Sequence, residues 1–228
     1  MKLTLVKKVE EARNTKSFYF KSEEPLQWIP GQYIYITLPK LNHPDERGAI
    51  RHFTISSSPT EGDLIQVTTR IRKESGYKKT LDELSIGSVV EGKGPQGTFI
   101  LDETIKSYVF LAGGIGITPF RSMIKYAIDK NLNIPMYLIY SNSDYDFIFK
   151  RELDDWVKAN KNIKITYFNT SQSGHLDKEK LSTLVVDKIQ NSTFCVVGPN
   201  PFVDTIEEIL LSLLIPEDSI KTEKFTGY

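Results

Sequence analysis

The sequence predicts two domains: an antiparallel β-barrel, followed by an α/β domain built on a doubly wound parallel sheet. Two observations predict this fold class. Up to about residue 103, short strand-like segments are separated by turn residues, whereas after Lys106 short apolar runs alternate with helical patterns. We therefore expect a barrel domain at 1–103 and an α/β domain at 104–228. The length of 228 residues suits one large or two small domains.

The first half contains several segments rich in β-branched and aromatic residues. The segment 33–38 lies between Pro30-Gly31 and Pro39, which are turn signals. The segment 64–71 alternates, with Ile65 and Val67 on one face. Many short strands at regular spacing predict a closed or nearly closed barrel, with strands at 15–20, 33–38, 64–71, 88–91 and 98–101.

The second half alternates strands and helices, which is typical of a parallel sheet with helices on both faces. A fully apolar run at 108–112 predicts a buried strand, and apolar residues at three- and four-residue intervals then predict a helix. Thr118 is expected to cap that helix, with Pro119 at its first position. Further strands are predicted at 136–140, 163–168, 194–197 and 219–223, and further helices at 149–157, 177–184 and 202–214.

Composition excludes several classes of function. The chain has 29 basic and 29 acidic residues and no basic run, so we expect no nucleic-acid partner. The N-terminus is too charged for a secretory signal, and no apolar stretch is long enough to span a membrane. We expect no membrane partner and a cytoplasmic location.

Cys195 is the single cysteine of the chain. An iron–sulfur cluster needs about four thiolates, so this chain alone is expected to hold none. The surrounding run, 194–197, is apolar, and we interpret Cys195 as a buried small hydrophobic residue. His43, His52 and His175 lack metal-ligand spacing, so no metal site is predicted.

Three short segments carry residues suited to binding phosphates and planar rings. The first, Arg51-His-Phe-Thr-Ile-Ser-Ser-Ser-Pro59, combines a guanidinium, an aromatic ring and hydroxyls on one predicted strand. The second, Leu111-Ala-Gly-Gly-Ile-Gly-Ile-Thr-Pro119, and the third, Val196-Val-Gly-Pro-Asn-Pro201, each end a strand and open a helix. Glycines there let backbone approach a phosphate at a helix N-terminus. Without ligands, the same segments would be a plain barrel strand and tight turns.

In this order and spacing, the three segments resemble the signatures of the ferredoxin–NADP reductase family. The resemblance implies FAD, in preference to FMN. It places Arg51 on the pyrophosphate, Phe53 near the isoalloxazine, and Thr54 as a catalytic hydroxyl close to flavin N5, with Ser57 completing the pattern. His52 lies inside the segment but could face away from the flavin. Phe53 and Thr54 replace the tyrosine and serine more common in the family.

A second phosphate-contacting turn of the family corresponds to 75–80, although the match is not clean. There Thr80 would be the hydroxyl, with Lys78 and Lys79 near phosphate. The alternative is a charged surface turn that enters a helix.

The resemblance also implies a nicotinamide-nucleotide site on the second and third segments. Val197 stands where the family has a cysteine near the nicotinamide, and Cys195 comes two residues too early, so no catalytic cysteine is assigned. The remaining residues of these segments are expected to bind the nucleotide: Gly113, Gly114, Ile115, Gly116, Thr118, Pro119, Gly198, Pro199 and Asn200.

The loop after the second parallel strand is expected near the adenine ribose. Ser141 and Asn142 offer neutral hydrogen bonds, while Asp144 and Asp146 would repel a 2′-phosphate. This favours NADH over NADPH, although Lys150 and Arg151 follow closely. The alternative is an ordinary loop in which Asp146 caps the next helix.

The chain ends in an acidic and aromatic segment. By resemblance, Glu223 is a catalytic residue that manages a proton near N5, and Phe225 shields the flavin. Tyr228 is a competing aromatic for that position.

The resemblance implies an enzyme that moves hydride from NAD(P)H to bound FAD. Electrons would then pass to a separate acceptor such as ferredoxin or flavodoxin. The alternatives are a free-flavin or quinone reductase, and a non-catalytic flavin-binding subunit of a larger complex. The sequence leaves the acceptor and the oligomeric state open.

Overall fold

A computed structural model describes residues 1–188 and 191–225 of the chain. The chain divides into two compact units. Unit 1 comprises Met1–Leu101 and Arg121–Tyr126, and unit 2 comprises Asp102–Phe120 and the chain from Ala127 onward. Each unit is built around a sheet of its own.

Unit 1 is an antiparallel barrel of six strands in the order β4-β3-β6-β1-β2-β5. The two end strands of that order meet through a bridge between Ile55 and Val67, which closes the sheet. The predicted antiparallel barrel is therefore confirmed. Its elements are β1 Lys2–Ala12, β2 Thr15–Ser22, β3 Tyr33–Thr37, β4 Ile50–Thr54, β5 Leu64–Arg70, the helix α1 Gly76–Glu83 and β6 Val89–Gln96.

Alternation along the strands fills the barrel with apolar side chains. Ile34 and Ile36 of β3 face the core, as do Ile65 and Val67 of β5. The strand predicted at 98–101 is wrong. That segment makes only isolated backbone bonds, from Ile100 N–H to Thr98 O and from Leu101 N–H to Pro30 O, and so joins no ladder.

Unit 2 has a five-stranded sheet in the order β11-β10-β7-β8-β9, with every neighbouring pair parallel. This confirms the predicted α/β domain. Its elements are β7 Tyr108–Gly113, α2 Ile117–Asp129, β8 Met136–Asn142, α3 Lys150–Ala159, β9 Ile163–Asn169, α4 Thr170–Ser173, α5 Lys178–Val185, β10 Thr193–Pro199, α6 Asn200–Ser212 and β11 Ile220–Phe225.

Helices cover both faces of this sheet. On one face, Phe110 of β7 stacks on Phe120 of α2, with ring centroids 4.5 Å apart. On the other face, Leu111 packs in a cluster with Val203 and Ile206 of α6. The strand order reverses between β7 and β10, because the chain moves outward through β8 and β9 before it returns. In open α/β sheets, ligands bind at the carboxyl ends of the strands beside such a reversal.

Candidate functional site

Strand β4 places alternate side chains of the first segment on opposite sides of the barrel wall. Phe53 is 8% exposed and lies in the core, with its ring centroid 6.0 Å from that of Tyr77. His52 is exposed, and its ring centroid lies 5.3 Å from that of Tyr33 and 5.7 Å from that of Tyr35. Partial desolvation by its neighbours and the charges of Arg47 and Arg51 lower the pKa of His52. The Phe53 ring packs in the barrel core. Its predicted contact with the flavin stays a prediction.

Sequence reasoning missed Tyr33 and Tyr35. They are two residues apart on β3 and therefore share the face opposite Ile34 and Ile36. The sequence signal for this pair was the spacing of two aromatic residues on a segment that lies between Pro30-Gly31 and Pro39. Together with His52 they give the outer wall an aromatic surface.

Thr54 and Ser57 both lie buried near the end of β4. Thr54 pairs in register with Tyr33. The Ser57 hydroxyl donates to Leu64 O (2.9 Å) and accepts from Gln66 N–H (3.0 Å). Ser57 therefore fixes the turn after β4 against β5, and its hydroxyl is engaged in that link.

Arg51 turns its guanidinium toward its own loop. Nη1 donates to the carbonyls of Arg47 (3.0 Å), Gly48 (3.0 Å) and Ile50 (2.7 Å), and Nη2 donates to Asp45 Oδ1 at 2.5 Å. The side chain is 12% exposed, and its guanidinium carbon lies 5.1 Å from the centroid of the Tyr77 ring. The predicted phosphate ligand is thus held by four hydrogen bonds beside helix α1.

Helix α1 begins at Gly76, and its N-cap Ser75 accepts from Lys78 N–H at 3.2 Å. Lys78 is only 9% exposed. Lys79 is half-buried. The Thr80 hydroxyl donates to Gly76 O (2.8 Å) and accepts from Asn42 N–H (3.0 Å), so it is occupied within the fold.

Burial and, to a smaller extent, the charges of four guanidinium groups together lower the pKa of Lys78 to about 8. An ammonium group held among so many like charges favours an anion nearby. The structure therefore brings together Arg51, Lys78 and the first turn of α1, a set of groups suited to a diphosphate. The four arginines are Arg72, Arg51, Arg47 and Arg70.

In unit 2, four predicted segments meet at the carboxyl edge of the sheet. Gly113 ends β7 beside Ser141 of β8. Ala112 pairs with Val197 of β10. Pro199 of β10 pairs with Phe225 of β11. The register therefore places both glycine segments, the Ser141 loop and the chain end in one row at the strand-order reversal.

The glycines of this edge pack backbone against backbone. A Cβ atom on Gly116 would lie 2.2 Å from Val197 O, and one on Gly198 would lie 2.8 Å from the Phe202 ring and 3.2 Å from Gly113 Cα. Gly114 has a φ of +55°, in the left-handed region that favours glycine. Gly113, Gly116 and Gly198 are buried, so the absence of side chains there lets the two segments pack closely, while Gly114 is half-buried at the edge.

Thr118 does not cap helix α2, and that prediction is wrong. A 3₁₀ turn over Gly114–Gly116 precedes the helix, so Thr118 lies inside it and its hydroxyl donates to Ile115 O at 3.1 Å. Pro119 is accordingly the third helical residue and not the first. Asn200 begins α6, directly after Pro199 as its N-cap.

The loop after β8 is organised by Asp144. Its Oδ1 accepts from Asn142 Nδ2 (2.8 Å) and from Asp146 N–H (2.9 Å). The alternative role of Asp146 as a helix cap is wrong, because Phe149, with a φ of +62°, is the N-cap of α3. Lys150 donates to Asp154 Oδ2 at 2.6 Å.

Glu223 is the unusual acid of unit 2. It lies in β11, in register with Val197, and its Oε2 is buried without a hydrogen-bond partner among the described residues. Burial raises its pKa to about 7. Phe225 is half-buried two residues later. Tyr228, the competing aromatic, lies outside the described residues.

Cys195 is buried, and its environment excludes a reactive thiolate. It is 3% exposed, in register with Phe110 of β7, and burial raises its pKa to about 12. The interpretation of Cys195 as a small hydrophobic residue is confirmed.

An open cavity of about 610 Å³ lies at the opposite edge of the unit 2 sheet. It is lined by 104–106, 191–193, Pro216 and Ser219, near the amino ends of β7 and β10. It is therefore remote from the glycine segments. Within 1–188 and 191–225, no helix has the length and apolar character that crossing a bilayer requires, and no cluster of three or more His, Cys, Asp or Glu could hold a metal ion.

Two family models match the chain, one to each half. An oxidoreductase FAD-binding domain matches residues 2–100, and an oxidoreductase NAD-binding domain matches residues 110–208. Residues 2–100 thus belong to the oxidoreductase FAD-binding domains and residues 110–208 to the oxidoreductase NAD-binding domains. The predicted order of a flavin domain and then a nicotinamide domain is the order of the two matches.

Individual relatives agree with these two matches. Flavohemoprotein A of Dictyostelium discoideum is 30% identical over 96% of this chain and 58% of its own length. The glycine betaine monooxygenase reductase subunit of Chromohalobacter salexigens is 28% identical over 91% of this chain and 59% of its own. The chain thus spans less than two thirds of these relatives.

Solved structures match the fold. The FAD/NAD-binding domain of nitric oxide dioxygenase from Vibrio cholerae O1 biovar El Tor matches with a TM-score of 0.82 and 18% identity. The match covers 98% of both chains. The ferredoxin–NADP+ reductase of Plasmodium falciparum matches with a TM-score of 0.82 and 19% identity, over 98% of this chain and 95% of that chain, so the fold is ferredoxin–NADP reductase-like.

The residues of each unit fit the cofactor that its family model implies. In unit 1, the cations around α1 suit the diphosphate of FAD. In unit 2, the N-terminal turn that leads into α2 and the unpartnered Glu223 oxygen at the same sheet edge suit a nucleotide, which has phosphate and polar groups.

Proposed function

We propose that this chain takes hydride from a reduced nicotinamide nucleotide onto FAD and passes electrons to a separate acceptor protein. One observation carries the proposal. The backbone of two glycine segments and the unpartnered carboxyl oxygen of Glu223 lie at the same edge of one sheet. A solely structural edge would have no reason to keep that oxygen buried and unsatisfied.

Unit 1 would hold FAD through charge. Arg51, Lys78 and the N-terminal turn of α1 supply the positive groups that bind the pyrophosphate. When bound, the flavin supplies the hydride and electron chemistry, while the protein supplies position and electrostatics. Thr54, in register with Tyr33, is proposed to donate a hydrogen bond at the reactive edge.

Glu223 would hold the proton that the reaction exchanges with solvent. A carboxyl group with a pKa of about 7 is protonated in a large fraction of molecules at neutral pH. In that form its oxygen can donate a hydrogen bond, and after ionisation it can accept a proton again. Phe225 is proposed to cover the flavin face until a nucleotide replaces it.

The nucleotide is proposed to be NADH. Recognition of a 2′-phosphate requires a cation near the ribose. The loop after β8 offers Ser141 and Asn142, and it holds Asp144 in its centre. Lys150 is committed to Asp154 and also lies 4.2 Å from the ring centroid of Tyr167.

The electron acceptor is proposed to be a separate carrier or oxygenase. Some relatives are reductase subunits or components by name, including the 3-ketosteroid-9-alpha-monooxygenase ferredoxin reductase component of Rhodococcus rhodochrous. This sequence has one cysteine, too few thiolates for an iron–sulfur cluster within its 228 residues. The division into a flavin part at 1–103 and a nicotinamide part at 104–228, and a cytoplasmic location, remain proposals.

The test is reconstitution followed by anaerobic reduction. The purified protein is mixed with FAD, excess flavin is removed, and a visible spectrum is recorded before and after NADH or NADPH is added. We expect flavin absorbance to bleach, and faster with NADH. A protein that binds no flavin would contradict the proposal.

The same preparation separates the alternatives. A yellow protein that neither nucleotide bleaches would favour a non-catalytic flavin-binding subunit. Rapid reduction of added free flavin or quinone, with no transfer to ferredoxin or flavodoxin, would favour a free-flavin or quinone reductase.

A further inference from the structure

Asp45 is a buried carboxylate that no part of the proposed reaction uses. Its Oδ1 accepts from Arg51 Nη2 (2.5 Å) and Arg47 N–H (3.0 Å). Its Oδ2 accepts from Tyr77 N–H (2.9 Å) and from the Ser75 hydroxyl (3.0 Å). Its side chain is 7% exposed.

These donors are of the kinds that bind phosphate in proteins: a guanidinium, a hydroxyl and N–H groups, one of them in the first turn of a helix. They converge on one carboxylate between β4 and α1. Burial alone would raise the pKa of Asp45, but the bonds from Tyr77, Ser75 and Arg47 and the charge of Arg51 lower it to about 2. The carboxylate therefore stays ionised at any pH at which the protein works.

We propose that Asp45 is an internal counter-anion that occupies the diphosphate position of the flavin site in the apoprotein and is displaced when FAD binds. This rests on the proposed function, in which Arg51 and the first turn of α1 hold the pyrophosphate. Arg51 Nη2 and Tyr77 N–H would then donate to Asp45 in the apoprotein and to the pyrophosphate once FAD binds.

The charges around Asp45 favour such an exchange. Arg47, Arg51, Arg70 and Arg72 each lie close enough to Lys78 to lower its pKa, so Asp45 and Arg51 lie beside a group of cations. A pyrophosphate carries about two negative charges and would be attracted to these cations more strongly than a single carboxylate is. Asp45 itself lies in the connection between β3 and β4, where its neighbours Pro44 and Glu46 are exposed. The segment that carries it has solvent into which to move.

A permanent structural role for Asp45 predicts the opposite result. If the carboxylate only holds Arg51 in place for the phosphate, its removal would disorder the guanidinium and weaken FAD binding. If it competes for the same donors, its removal would strengthen FAD binding. The sign of the change in affinity separates the two roles.

The test compares the dissociation constants of FAD and riboflavin for the apoprotein and for Asp45→Asn, by flavin fluorescence quenching. The variant keeps the shape of the side chain but loses its charge. We expect FAD to bind about tenfold more tightly, since charge-assisted donors are released. Riboflavin has no phosphate, so its affinity should not change. The matched control is Asp82→Asn at the other end of α1, whose carboxylate pairs with Lys16 at 2.7 Å.

Each outcome decides the proposal. Weaker FAD binding by Asp45→Asn, with an unchanged melting temperature of the apoprotein, would establish a structural anchor and overturn it. Equal tightening of FAD and riboflavin would also overturn it, because the effect would not involve phosphate. If Asp45→Asn melts early, Asp45→Glu, which restores the charge, must return FAD affinity toward that of the wild type. Failure of the wild type to bind FAD would instead refute the proposed function.

Discussion

The two halves of the molecule prepare for their nucleotides in opposite ways. Unit 1 gathers charged side chains, and its Arg51 forms an ion pair with Asp45 and donates to three backbone carbonyls. Unit 2 brings its two glycine segments together at the edge of its sheet. They pack so closely that a Cβ on Gly116 would lie 2.2 Å from Val197 O. Unit 1 therefore offers ionic contacts to a ligand, whereas unit 2 offers closely packed backbone and neutral groups.

This difference fits the proposed function, in which FAD stays bound and the nicotinamide nucleotide leaves after each turnover. A cofactor that stays bound through many turnovers profits from charge-assisted bonds, which are the strongest polar contacts available. A nucleotide that must leave after each turnover is better held by close fit and neutral groups. Four variants test this contrast, in order of decreasing expected effect.

The first variant, Gly116→Ala, attacks the shape of unit 2. The added Cβ would collide with the backbone of Val197, so the loop must move. We expect kcat/KM for NADH to fall about a hundredfold, as for other misplacements of a reacting group, while the spectrum of bound FAD is unchanged. The control is Gly87→Ala, where φ is +91° but no atom lies within 4 Å of the new Cβ. Equal losses in both variants would contradict the role of crowding.

The second variant, Arg51→Gln, attacks the charge of unit 1. Loss of a guanidinium at a phosphate should raise the dissociation constant of FAD about thirtyfold, since one charge-assisted contact contributes about 2 kcal/mol. Arg13→Gln, in the turn between β1 and β2, is the control for net charge. Unchanged FAD binding, measured by ultrafiltration, would mean that Arg51 holds only its own loop.

The third variant, Glu223→Gln, tests the raised pKa. A carboxyl group with a pKa of about 7 in the folded chain and about 4.3 in the unfolded chain stabilises the protein at low pH. That stability disappears as pH rises through 7. We expect the wild type to lose about 1.3 kcal/mol of unfolding free energy between pH 6 and pH 8, and Glu223→Gln to lose far less. Urea unfolding at both pH values measures the unfolding free energy of each protein. An equal loss of unfolding free energy in the wild type and in Glu223→Gln would contradict the raised pKa.

The fourth variant, Ser143→Arg, adds a cation to the exposed loop after β8. We expect the ratio of kcat/KM for NADPH to that for NADH to rise about fivefold, because a new charge on an exposed loop contributes roughly 1 kcal/mol. Ser143→Gln controls for side-chain size. If both substitutions change the ratio equally, charge is not what selects the nucleotide.

Much of the fold followed from local pattern. The apolar run of β7 and the helical spacing of α2 each depend on side chains that are close in sequence, so periodicity revealed them. The 98–101 segment has the residues of a strand, but its N–H groups have no neighbouring ladder, and only tertiary pairing decides that. Thr118 failed as a cap for a related reason: the preceding 3₁₀ turn starts the helix earlier.

The site was less accessible to sequence reasoning. Arg51 and the 75–80 turn carried recognisable residues, but Asp45 lies 32 positions from Tyr77 and within an irregular connection. Nothing in its local sequence indicates that these donors converge on it. Glu223 was identified by resemblance alone, and its unpartnered oxygen depends on packing that no spacing rule describes.

The network around Glu61 bears on how the flavin half can be studied in isolation. Arg121 donates to both oxygens of Glu61 (2.8 and 3.0 Å) and to Ser56 O (2.8 Å), and the Ser122 hydroxyl donates to Ser57 O (2.7 Å). A fragment that stops after the last barrel strand would keep every hydrogen-bonded ladder but lose these donors. The carbonyls of Ser56 and Ser57, directly after β4, would then lose these hydrogen bonds. An excised flavin module therefore has to extend through Tyr126, well past the end of its own sheet.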